Sequence, residues 1–179
     1  MYILASASPR RKELLKLAVD EFEIIPSGCD EAVPDNVPSE KIPEYLARLK
    51  ACDIAEKYPD DTVIGADTMV FIGGKPLGKP KDRADAVRML KLLSGNIHKV
   101  ITGCAVCEKG ACRSFSAVTE VTFYELSDAE ISAYADTPEP YDKAGGYGIQ
   151  STGTLFVKEI KGDYFNVVGL PVAALKRFL

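Results

Sequence analysis

Thr62–Ile72, TVIGADTMVFI, is a near-continuous apolar run interrupted in its middle by Asp67-Thr68. A run of this kind predicts a strand covered on both faces, the pattern of a sheet buried beneath helices. It points to an α/β domain. A carboxylate at its centre is costly to bury unless it is paired, hydrogen-bonded or metal-bound. Gly65 and Ala66 just before it are small and let another group approach the backbone. Acids held in such surroundings cluster at functional sites, so Asp67 is the most informative single residue of the chain.

Downstream, Gly73-Gly74 reads as a hairpin turn. The segment Lys75–Asp82, KPLGKPKD, is basic: Lys75, Lys79 and Lys81 lie on it, and the prolines after two of them fix the backbone so that a lysine can be held in place. Asp82 caps a helix to about Leu93, with Ala86, Met89, Leu90 and Leu93 inward. Two long strands follow, Ile97–Glu108 and Cys112–Tyr124, joined at Lys109-Gly110. Ser127 caps a helix through Tyr134. The stretch 136–150, DTPEPYDKAGGYGIQ, is a patterned loop that carries Asp142, Lys143, Tyr147 and Gln150. A strand Thr154–Ile160 and a closing helix Gly169–Phe178 complete the chain.

Upstream, a helix runs from its cap Ser39 to about Tyr58, with Ile42, Leu46 and Leu49 as its apolar stripe. Lys50 falls at the edge of that stripe; a surface lysine with a buried stem explains it as simply as the rim of a cleft does. Asp53 lies on the stripe with no reason visible in the sequence. The loop Gly28–Pro38 carries acids, of which Glu31 is a candidate. At the start, an apolar strand Tyr2–Ala5 enters SASPRRKELL, residues 6–15. Ser8 suits an N-cap and Pro9 the first helical position. Arg10 and Arg11 beside free helical N–H groups make an anion site, phosphate being the usual anion. A capped surface helix with solvated arginines fits those ten residues equally well.

With 179 residues, 46% apolar and 27% charged, the chain reads as one domain, 1–179, or one domain with a small lobe. A net charge of −4 argues against a general nucleic-acid binder. No apolar run approaches a membrane span, and no signal peptide is visible, so no membrane partner is expected. Five cysteines, an odd number at low density, suggest reduced thiols and a cytoplasmic setting. Cys104 and Cys107 form a C-x-x-C, but within a strand, with no second such pair. Core cysteines are the preferred reading, over zinc or redox chemistry. Neither GxGxxG nor GxxxxGK[ST] occurs.

Taken together, SASPRRKELL, the acidic loop at Glu31, Lys50, GADT at 65–68, GKP at 78–80, SGNIHKVITG at 94–103 and DKAGGYGIQ at 142–150 resemble the Maf family of nucleoside triphosphate pyrophosphatases, also called septum-formation-inhibitor-like proteins. The resemblance spans the whole chain. It implies a mixed, twisted central sheet flanked by helices, with a cleft between two lobes, like that of inosine triphosphate pyrophosphatases. It implies a nucleoside triphosphate substrate, with Arg11, Lys50 and Lys79 as phosphate ligands beside Ser6 or Ser8. Asp67 would be the catalytic base, with Glu31 as its partner in holding a divalent cation, Mg²⁺ or Mn²⁺. Arg10, Thr68 and Gln150 would select the base, and they match the branch acting on dTTP and UTP. The family's tendency implies a homodimer. Ser151 stands where the family pattern has Gly, a change expected to loosen or reshape the loop holding Gln150.

The chemistry is consistent with those residue types. Hydrolysis between α- and β-phosphates needs cations, a divalent ion and a carboxylate near an attacking water, but no covalent nucleophile. A non-catalytic nucleotide-binding regulator of septation is the alternative from another class, and metal-dependent pyrophosphate release separates the two.

Overall fold

The computed structural model describes residues 1–179. Its elements run β1 (Tyr2–Leu4), α1 (Pro9–Leu15), β2 (Phe22–Ile24), α2 (Ile42–Ala55), β3 (Thr62–Ile72), β4 (Lys75–Leu77), α3 (Arg83–Leu93), β5 (Ile97–Glu108), β6 (Ala111–Phe123), α4 (Asp128–Ala135), β7 (Val157–Lys161), α5 (Tyr164–Val168) and α6 (Val172–Phe178). Short 3₁₀ turns occupy Ser39–Lys41, Glu139–Asp142, Ala144–Gly146 and Thr152–Phe156. Strand neighbours follow the order β2-β1-β3-β5-β6-β7, with β4 paired to β3. The sheet is mixed: β1 is parallel to β2 and β3, whereas β4 is antiparallel to β3 and β7 to β6. Val63, Ile64 and Ala66 are fully buried, which is why β3 reads as a near-continuous apolar run.

The chain divides into two compact units. The first holds residues 1–68, 102–117 and 165–179, the second residues 69–101 and 118–164. β3 leaves the first unit immediately after Asp67-Thr68.

In the first unit, a core of Ile3, Ala5, Ala47, Ala51, Ile54, Val63, Ala105 and Cys107 joins β1, β3 and β5 to α2. The close seating of α2 depends on two glycines. A Cβ at Gly65 would lie 2.2 Å from the Ala47 carbonyl oxygen, and one at Gly103 2.3 Å from the Pro43 and Glu44 backbone. Any side chain at either position would push the helix off the sheet. Ser39 does not cap α2 as the sequence suggested. It begins a 3₁₀ turn, and Pro43 sits in the first turn of the helix, where its missing N–H leaves no intrahelical bond unmade. Asp53 is explained: its carboxylate accepts from Ser27 Oγ and Lys57 Nζ, each at 2.7 Å, so it ties the chain after β2 to α2.

In the second unit, Asp82 caps α3 through Asp85 N at 2.8 Å, and Ser127 with Glu130 forms a capping box on α4. The single histidine, His98, is 1% exposed. It lies edge-on to Phe123 and hydrogen-bonds the Tyr147 hydroxyl at 2.8 Å. Residues 154–156, expected to open the last strand, form part of a 3₁₀ turn instead, and α5 was not anticipated.

The cysteine reading needs correction. Cys107 and Cys112 are disulfide-bonded across the Lys109-Gly110 turn, while Cys29, Cys52 and Cys104 are free. The turn folds the two strand ends onto each other, which places cysteines five apart side by side. Cys104 is a buried core residue, as expected.

Candidate functional site

Every side chain in this paragraph belongs to the first unit. β1 delivers a buried Ser6 to the turn before α1. Ser8 caps α1, its Oγ accepting from Arg11 N at 3.5 Å, and Pro9 follows it. This cap sets Arg10 and Arg11 in the first turn. The Arg11 guanidinium then makes three bonds: Nε to the Gly169 carbonyl at 2.9 Å, Nη1 to Ser6 Oγ at 3.1 Å and Nη2 to Thr68 Oγ1 at 3.1 Å. A guanidinium has five N–H donors, so two are left for a ligand. Burial pulls the Arg11 pKa below its ordinary value, while the charge of Asp67 opposes that shift.

Thr68 and Thr102 extend the network. Thr102 Oγ1 donates to the Asn166 carbonyl at 3.0 Å and lies 2.9 Å from Thr68 Oγ1. A hydroxyl has one proton. Thr102 spends its proton on Asn166, so Thr68 accepts from Arg11 and has its own proton for Thr102 or for the Gly169 carbonyl, 3.5 Å away. The network therefore runs from Arg11 through Thr68 to the backbone carbonyls of Asn166, by way of Thr102, and Gly169. Thr68 keeps a lone pair, not a proton, for a ligand.

Lys50, on α2, answers the cost of the half-buried acid on β3. Its Nζ donates to Asp67 Oδ1 at 2.7 Å and pairs with Glu31 Oε1 at 3.1 Å. The Lys50 and Asp67 side chains are 14% and 15% exposed, whereas Glu31 reaches in from its loop with 53% of its side chain exposed. Two carboxylates thus meet at one ammonium. Lys50 bonds only one Asp67 oxygen, which leaves Oδ2 chemically able to accept a proton. Both carboxylates offer hard oxygen donors. That set suits Mg²⁺ or Mn²⁺, which take one or two carboxylates and keep positions for water and phosphate oxygens.

Ser6, Ser8, Arg11 and Thr68 therefore form one connected group, and Glu31, Lys50 and Asp67 another, joined where Asp67 and Thr68 are neighbours in β3. Arg10 is half-buried on α1. Lys79 and Gln150 lie in the second unit and are both exposed, Lys79 after β4 and Gln150 just before the 3₁₀ turn at 152–156. Ser151 does not leave its loop loose: its hydroxyl donates to Glu139, which also accepts from Tyr134 OH at 2.7 Å and Gly153 N at 3.1 Å. Thr102 and Gly169 escaped sequence reasoning. The one available signal was a threonine inside the apolar run of β5; a backbone carbonyl leaves none.

No side chain here is poised as a covalent nucleophile. Burial pushes the Cys104 thiol up to about 12, against the pull of Arg11. Burial also pushes the His98 imidazole down to about 4, and its Nδ1 has no hydrogen-bond partner, so it is a neutral core residue.

A mixed sheet flanked by helices is an α/β fold that a solved structure shares. The Ham1 protein of Staphylococcus aureus superposes with a TM-score of 0.53 at 15% identity, over 69% of this chain and 72% of that one, a likeness of fold alone. The sequence profile described as Maf-like protein matches residues 1–179, and the chain belongs to that family. A Bacillus pumilus protein named dTTP/UTP pyrophosphatase is 52% identical over 178 residues, 99% of this chain and 94% of its own length. A Bacillus cytotoxicus protein of the same name is 50% identical over 99% of this chain and 93% of its own.

Proposed function

We propose that this chain hydrolyses nucleoside triphosphates, dTTP and UTP foremost, between the α- and β-phosphates, giving the nucleoside monophosphate and pyrophosphate. The names of relatives that are 52% and 50% identical across 99% of the chain support the reaction and the substrates. The observation that carries the reading is Lys50 Nζ held between Asp67 and Glu31. That pairing sets a carboxylate against an ammonium within an apolar strand, beside an arginine with donors to spare.

In this reading Arg11, Lys50 and Lys79 bind the triphosphate, with Ser6 and Ser8 beside them. The fixed position of Arg11, held by Ser6, Thr68 and Gly169, presents its remaining donors without further ordering. Asp67 accepts a proton from the attacking water, and Lys50 holds the carboxylate in place for it. Glu31 and Asp67 would hold a divalent cation, which supplies charge neutralisation to the phosphates and lowers the pKa of bound water. Water attacks the α-phosphorus, the bond to the bridging oxygen breaks, and pyrophosphate leaves.

Arg10, Thr68 and Gln150 are assigned to the base. A uracil or thymine ring presents one N–H between two carbonyls, and a primary amide such as that of Gln150 offers a matching donor and acceptor. The reading takes residues 1–179 as a single functional domain, a cytoplasmic homodimer acting on a small molecule. The net charge of −4 argues against nucleic acid as a partner, and no helix is long and apolar enough to cross a membrane.

The test is a panel of nucleoside triphosphates with Mg²⁺ or Mn²⁺, assayed for pyrophosphate. dTTP and UTP should rank first by kcat/KM, with purine nucleotides last, and a chelator should abolish turnover. Pyrophosphate release led by a purine nucleotide would overturn the base assignment, and no release from any nucleotide would overturn the reaction.

A further inference from the structure

A second cluster of reactive groups lies in the first unit, away from every residue assigned above. Cys52 on α2, Cys107 at the end of β5 and Cys112 at the start of β6 have sulfur atoms that all lie within 4.8 Å of one another. Cys107 and Cys112 are bonded to each other, and Cys52 Sγ lies 3.8 Å from Cys107 Sγ. The three line a cleft of about 330 Å³ whose walls also carry Glu56, Asp61 and Glu108. No step of the proposed hydrolysis uses any of these groups.

We propose that, once the Cys107–Cys112 bond is reduced, Cys52, Cys107 and Cys112 bind one thiophilic cation of the Zn²⁺ class, and that the disulfide is the closed form of this site. The spacing carries the inference. Two thiolates on a tetrahedral zinc, each at about 2.3 Å, stand about 3.8 Å apart, the separation of Cys52 and Cys107. Three thiolates are a soft donor set that selects Zn²⁺, Cd²⁺ or Cu⁺ over Mg²⁺, so this site and the carboxylate site do not compete for one ion. Of the acids on the wall, Asp61 pairs with the N-terminal ammonium and Glu108 with Lys109, which also lines the cleft, so the sulfur atoms are the donors that matter. Three protein ligands leave a fourth position for water or a carboxylate.

The redox step balances with a dithiol as reductant. The dithiol gives two electrons and two protons to the Cys107–Cys112 bond, which opens to two thiols, and is itself oxidised to a disulfide. Binding then releases the thiol protons to solvent as the thiolates take the metal. A half-buried helix cysteine and two cysteines flanking a turn are not a zinc motif in sequence, because the third ligand, Cys52, comes from a helix over fifty residues upstream.

Cd²⁺ titration of the full chain tests this. Protein reduced with a dithiol, then freed of it without oxygen, should develop a thiolate-to-cadmium charge-transfer band that saturates at one ion per chain, and Zn²⁺ should displace it. The oxidised chain, identical in sequence, should show no band. Reduced Cys52→Ser and Cys112→Ser should each lose it, and reduced Cys29→Ser should keep it. The proposal is overturned if reduced wild type gives no saturating band, or if oxidised wild type binds as well. It is equally overturned if either Cys52→Ser or Cys112→Ser keeps the band, or if Cys29→Ser loses it. The contrast between oxidised and reduced wild type decides even where a variant fails to fold.

Discussion

Asp67 is an acid whose burial is tolerated because Lys50 meets it at 2.7 Å. Asp67→Asn keeps the shape and the Lys50 contact through the amide oxygen but removes the proton acceptor. Hydrolysis should fall on the order of 10²–10⁴-fold, the usual contribution of general-base catalysis. Nucleotide binding by calorimetry should persist, as should a cooperative melt, since Lys50 retains Glu31. Near-wild-type turnover in that variant would remove Asp67 from the role of base. At this scale the sequence was informative wherever a residue contradicted its surroundings. A carboxylate in an apolar strand and two arginines in a first helical turn both stand out. Thr102 does not, because threonine is ordinary in strands, and the Gly169 carbonyl that receives Arg11 is independent of residue type. By residue type Glu31 was one loop acid among several; the family resemblance singled it out, and its ion pair with Lys50 sets it on the ammonium that also meets Asp67.

Among elements, the tightest relation is that of α2 to the strands beneath it. The Lys50–Asp67 contact depends on how closely that helix lies, and Gly65 permits the approach: a methyl there would come within 2.2 Å of the Ala47 carbonyl oxygen and 2.9 Å of Ala51 Cβ. Gly65→Ala should therefore destabilise the fold by about 1–3 kcal/mol, the usual cost of overpacking. It should also lower kcat, because Lys50 moves with α2. Chemical denaturation checks the first and steady-state kinetics the second; unchanged stability would mean that α2 shifts freely. Strong periodic signals placed β3, α3 and β5 at the boundaries seen. The C-terminal third was harder to read. α5 has only five residues, too few to show a helical period, and the exposed Leu155 sits in a 3₁₀ turn that mimics strand alternation.

For the molecule as a whole, one buried histidine links stability to pH. Burial lowers the His98 pKa from 6.5 to about 4. The folded state therefore resists protonation that the unfolded chain accepts. Stability from this source is fully present above pH 6.5 and is lost as pH falls towards about 4, with a slope approaching 1.4 kcal/mol per pH unit within that window. Urea unfolding of wild type and His98→Gln, compared between pH 7 and about 5, where carboxylates contribute little, should show the steeper loss in wild type. Parallel curves would mean that His98 titrates normally. Long-range facts of this kind were the least legible in the sequence. The composition pointed to reduced thiols, whereas the structure pairs Cys107 with Cys112, because pairing depends on how a turn folds back rather than on cysteine density. The family resemblance reached the mixed sheet, and its motifs include Glu31, Lys50 and Asp67, whose side chains meet in the structure.

The central claim is attack of water at the α-phosphorus. Hydrolysis of dTTP in oxygen-18 water, followed by mass spectrometry of the products, tests it most directly. The label should appear in thymidine monophosphate, one atom per turnover, with pyrophosphate unlabelled. Label in pyrophosphate, or products that are the diphosphate and orthophosphate, would contradict it.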